Sequence, residues 1–86
     1  MKQVSLYVVT FVDLVNVGYN VSNAKVFFNR EKANAYMEEE YMKKCKEEDI
    51  DTPLADNNFD YQFCKNAFAY IMGKYYWDIF ENKVFI

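Results

Sequence analysis

The sequence predicts an α+β fold: a small antiparallel sheet of three to four strands with one long helix and a second helix packed on one face. Three observations predict it. Residues 3–12 and 75–80 are crowded with β-branched and aromatic side chains, the composition of strands. Residues 29–48 place apolar side chains at i, i+4 behind a capping residue, the pattern of an amphipathic helix. The chain has 86 residues, 52% of them hydrophobic, with a formal charge of −3. That is too short for two cores and too apolar for disorder, so residues 1–86 form one domain.

Gln3 to Val12 reads as a central strand with both faces largely apolar, covered on both sides or on one side with rings exposed on the other. Asn16, Gly18, Asn20, Ser22 and Asn23 turn the chain. Ala24 to Phe28 then pairs antiparallel with the first strand. Asn29 is placed to cap a helix running to about Glu48, with Glu31 complementing its positive end. Ala33, Met37, Tyr41 and Cys45, with Tyr36 beside them, make the stripe that lies on the sheet.

Ile50 to Asn58 is a loop stiffened at Thr52-Pro53. Residues 60–72 read two ways. Cys64, Ala67, Phe68 and Ile71 share a helical face with Gly73 as its stop, whereas the rival is a hairpin of strands 67–72 and 75–80 turning at Gly73-Lys74 in a II′ geometry. Gln62, Lys65, Asn66, Ala67 and Ala69 are poor strand formers and favour the helix. Glu81-Asn82 is expected to turn the chain so that Val84 to Ile86 lies back on the sheet.

The residue types exclude most catalysis. No histidine is present, so neither Cys45 nor Cys64 has an imidazole to activate it, and their 19-residue spacing fits no zinc signature. The two cysteines read as reduced thiols. Gly18 and Gly73 are too far apart for a phosphate cradle. Glu47, Glu48, Asp49 and Asp51 lack the spacing and central glycine of a calcium loop. No enzyme activity, cofactor or metal site is expected.

Charge and rings point to binding instead. Residues 38–60 carry nine acids against three lysines. Glu38, Glu39, Glu40, Glu47, Glu48, Asp49 and Asp51 are candidates for docking a basic protein surface, though the same helix face also reads as solvated, laced by Glu39–Lys43 and Glu40–Lys44 pairs. Eight Phe, eight Tyr and one Trp exceed what so small a core needs, so Tyr75, Tyr76 and Trp77 are candidates for an interface with a partner or a second copy.

Tyr7 and Phe11 resemble a base-stacking platform, but a single arginine argues against direct nucleic-acid binding. An acidic mimic of DNA is the converse alternative. The N-terminal run is interrupted by Asp13, no stretch is long enough to span a membrane, and the expected location is the cytoplasm.

Tyr7-Val8-Val9-Thr10, Val26-Phe27-Phe28, Glu31-Lys32-Ala33 with Tyr36, and Trp77-Asp78-Ile79-Phe80-Glu81 together resemble the small, mostly uncharacterised proteins of phages and mobile elements in low-GC bacteria. Nine lysines to one arginine suit an AT-rich genome. The resemblance covers about half the chain and implies a β-β-α…β core, with Ile50 to Gly73 longer than in those proteins. It implies no catalytic residue. It does imply a protein that binds and inhibits a host factor, including components of bacterial defence; the alternative is a homodimeric accessory protein.

Overall fold

The computed structural model describes residues 2–15, 21–55 and 59–86. Among them the order is β1 (Gln3–Asp13), β2 (Val21–Phe27), α1 (Arg30–Glu47), β3 (Tyr61–Cys64), β4 (Phe68–Ile71) and β5 (Tyr75–Phe85). The class is α+β, with one five-stranded sheet in the order β2-β1-β5-β4-β3, antiparallel at every pairing.

In the first half the helix follows its sequence signals, but β2 begins at Val21 rather than Ala24, so Ser22 and Asn23, read as turn residues, pair instead with Val12 and Phe11 of β1. Asn29 caps α1, its Oδ1 accepting from the Lys32 amide at 3.1 Å. The stripe of Ala33, Met37, Tyr41 and Cys45 is buried against the sheet. At the other end, Asp49 adopts φ 58°, Ile50 N–H reaches the Cys45 carbonyl at 2.9 Å and Asp49 N–H reaches Lys46 at 3.2 Å. This is a Schellman stop with aspartate where glycine is usual. Part of the expected reversal between the first two strands, and the end of the 50–58 loop, lie outside the described residues.

The second half corrects the reading. Residues 60–72 form no second helix; they supply β3 and β4, and the β4–β5 hairpin is the rival that the sequence left open. Both of its turns use one device. Ala67 N–H bonds to Cys64 O at 3.1 Å across Asn66 at φ 62°, and Lys74 N–H bonds to Ile71 O at 2.9 Å across Gly73 at φ 73°. A positive φ at the third turn position suits Asn and Gly; Gly73 therefore sits one place later than in the expected II′ turn. The Asn34 side chain, buried in α1, accepts from the Asn66 amide at 2.7 Å and fixes the β3–β4 turn to the helix.

Nor does the chain turn at Glu81-Asn82. β5 runs straight through, pairing with β1 from Asp13↔Tyr75 to Gln3↔Phe85. Glu81 is held there by Arg30 at 3.3 Å and the Tyr7 hydroxyl at 3.4 Å. β2 joins β1 only as far as Tyr7, and β4 joins β5 only as far as Asp78. Beyond those points β1 and β5 continue as a two-stranded ribbon, closed by the reciprocal Lys2–Ile86 hydrogen bonds at 2.9 and 2.8 Å.

Side chains alternate across a sheet, so the register sorts each strand residue to one face. Val9, Ala69, Ile71, Tyr75 and Trp77 are buried beneath α1, with Tyr7, Phe11, Phe27, Tyr61, Phe63 and Ile79 packed around them. Among the described side chains, every buried strand residue lies on that face. The least extent of the molecule is 18 Å, the depth of one sheet and one helix.

Candidate interaction surface

The other face of the sheet has no described element on it. Reading the register across gives Val26 and Ala24 on β2, Val4, Leu6, Val8, Thr10 and Val12 on β1, then the middle strand β5 with Tyr76, Asp78, Phe80, Asn82 and Val84. Phe68 and Tyr70 on β4 and Gln62 and Cys64 on β3 complete it. None is buried. Val26 is 54% exposed and Phe80 53%, values that belong to side chains standing in water.

The rings on this face are ordered. Phe68 stacks on Tyr70 and Tyr70 on Tyr76, each pair with centroids 6.3 Å apart and planes within 21°. The Tyr76 hydroxyl accepts from the Gly73 amide at 2.9 Å, and the Tyr70 hydroxyl reaches the Phe59 carbonyl at 3.4 Å, so two of these rings are anchored at their polar tips. A pre-positioned aromatic ridge loses little side-chain entropy on docking.

Within the strands, Asp78 is the only charged residue on the face. It sits on the middle strand between Thr10 and Phe68. Although exposed, it is crowded by apolar neighbours, and desolvation raises its carboxyl above the ordinary value. On this face the strands carry no Lys or Arg, so no row of cations runs along them of the kind that tracks a phosphate backbone. The stacking platform read from Tyr7 and Phe11 is closed as well: both point under the helix, with the Arg30 guanidinium 5.3 Å over Tyr7.

The expected interface residues separate. Tyr75 (7% exposed) and Trp77 (1% exposed) are core side chains; three consecutive strand residues cannot share a face, and only Tyr76 reaches the open one. Glu39, Glu47, Asp49 and Asp51 are exposed, on or just beyond the helix face turned away from the sheet; Glu38, Glu40 and Glu48 are half-buried. Glu48 is tied to Lys74 at 2.8 Å, and the helix pairs at i, i+3, Glu40–Lys43 at 3.9 Å and Lys44–Glu47 at 3.3 Å, instead of the expected i, i+4. The acid surface and the open sheet face are therefore on opposite sides of the molecule.

Cys45 forms part of a 520 Å³ cleft at the helix C-terminus with Asp49, Asp51 and Pro53, but burial raises its thiol above the ordinary value and keeps it protonated. Both cysteines are free thiols, Cys64 on the open face. Among the described residues no three His, Cys, Asp or Glu come close enough to hold a metal ion, and no helix is long and apolar enough to cross a membrane. Comparison of the chain with family models, with curated proteins and with solved structures gives no match.

Proposed function

We propose that this chain is a non-enzymatic protein-binding module and that the open sheet face is its interface. One observation carries the reading: a five-stranded sheet covered by a helix on one side presents, on the other, a continuous apolar and aromatic surface. Sheets of this kind bury one face and keep a polar one outward. Here the outward face is apolar, and exposed apolar patches of this extent mark interaction sites.

The resemblance to phage and mobile-element proteins supports a host protein as the partner and inhibition, of the anti-defence kind, as the outcome. A lysate of the low-GC host passed over immobilised protein tests it. Proteins retained by the wild type should be lost with Phe80→Lys and kept with Glu39→Lys/Glu40→Lys. Retention that survives the first change and fails with the second would move the interface to the acid side of the helix.

A further inference from the structure

We propose that the open sheet face is self-complementary and that, in the isolated protein, it is filled by a second copy of this chain. The inference rests on the open face being an interface and names its occupant. Two copies pack open face to open face with their strands antiparallel, and a two-fold axis crosses the ribbon at the Leu6–Asn82 pair.

Size is the first argument. The accessible surface is 6098 Å², about 700 Å² more than the roughly 5,400 Å² of a compact monomer of 10.3 kDa. The radius of gyration is 14.1 Å against about 12 Å for a compact 86-residue domain. The free ribbon contributes to this excess, and the surface left open is enough for the roughly 800 Å² that each partner of a standard stable interface contributes.

Charge is the second. Burying Asp78 on the middle strand against an apolar partner would strand its carboxylate. The face carries its own answer at the far end of the ribbon: Lys2 continues the ladder opposite Ile86, on the same side as Val4 and Val84. Thr10↔Asp78 and Lys2–Ile86 each lie four residues from Leu6↔Asn82, about 14 Å to either side. The two-fold axis therefore lays Asp78 of each copy over the Lys2–Ile86 end of the other. The two carboxylates never meet, and each is offered an ammonium. In the same arrangement the ribbon of one copy, with Val4, Leu6 and Val84, crosses the body of the other between Val26 on one flank and Phe68 and Tyr70 on the opposite flank.

The placement of Asp78 and Lys2 thus favours a copy over an unrelated apolar surface, which would have to supply its own cation at that one point. A host protein using this face competes with the dimer for it.

Light scattering of the purified protein over a wide concentration range tests the inference. The expected mass is twice 10.3 kDa, falling towards one chain on dilution. Phe80→Lys should raise the dissociation constant more than about tenfold with the helical circular dichroism unchanged; Val26→Lys, at the exposed edge, serves if that variant unfolds. Lys2→Glu and Asp78→Lys should each weaken the dimer about tenfold, and the two together should restore it to within about threefold. A single-chain mass at every concentration overturns the inference. So does a dimer indifferent to Phe80→Lys and Val26→Lys, and a double charge reversal that fails to restore binding overturns the two-fold arrangement. A wild type of single-chain mass whose host protein is still lost with Phe80→Lys overturns the second copy and leaves the interface reading standing.

Discussion

The rings of Tyr41 and Trp77 meet edge to face, centroids 5.9 Å apart and planes at 88°. Both are fully buried, one from the helix and one from the middle strand, and the pair joins the two layers. Trp77 also lies 5.1 Å from Phe11. Truncating it should be severe: Trp77→Ala is expected to cost about 3–5 kcal/mol, most of the stability of so small a domain. Denaturant titration checks this, and a loss below about 1 kcal/mol would remove Trp77 from the centre of the core.

The helix stop offers the opposite experiment. Asp49 holds φ 58° without the freedom of glycine. Asp49→Gly should raise stability by about 1 kcal/mol, the cost of a left-handed conformation to a residue with a Cβ less glycine's greater unfolded entropy. A thermal melt that moves down instead would show that the aspartate side chain contributes more than its backbone costs.

Tyr41 also sets an alkaline limit. Burial, assisted by the neighbouring Cys45, pushes its phenol well above the ordinary 10.0, and burial raises Cys45 above 9.0. Groups whose pKa is raised on folding contribute stability that is whole below their unfolded values and falls as pH climbs past them. Stability should therefore decline from about pH 9 and more steeply above pH 10, with the unfolded chain ionising first. Tyr41→Phe should lose about 1 kcal/mol at neutral pH, since the hydroxyl donates to the Pro53 carbonyl at 2.6 Å, and should show a shallower alkaline decline. Equal slopes in both proteins would contradict the assignment.

The acids on the far side of the helix are expected to be thermodynamically quiet. Surface pairs such as Glu40–Lys43, long at 3.9 Å and with its lysine exposed, are worth at most about 1 kcal/mol, so Glu39→Lys/Glu40→Lys should leave the melting temperature nearly unchanged. If a basic partner docks there, its association rate should fall steeply with salt in the wild type and lose that dependence in the variant. A rate insensitive to salt in both would assign these glutamates to solvation alone.

Local signals were legible and tertiary ones were not. Asn29 and the stripe from Ala33 to Cys45 are set by helical periodicity and capping, which act within a few residues. Residues 61–71 misled because Lys65, Asn66 and Ala67 are poor strand formers: they are the turn itself. Ala69 is small in a strand that lies beneath the helix, in register between Phe63 and Trp77. Glu81 and Asn82 look like turn residues, yet Glu81 is paid for by Arg30, 51 residues away. The candidate face was half legible in the sequence. The surplus of rings pointed to an interface, and strand alternation through Tyr75, Tyr76 and Trp77 could have shown that only the middle one is available. The open face itself depended on there being no second helix among residues 60–72, which pairing with β5 decides.

The most direct test of the central claim places a photo-reactive phenylalanine analogue at Phe80 and, in a second protein, at Glu39, and irradiates both in host cells. The open sheet face predicts covalent protein adducts from position 80, to a second copy or to a host protein, and few from position 39. Adducts from position 39 with none from position 80 would contradict it.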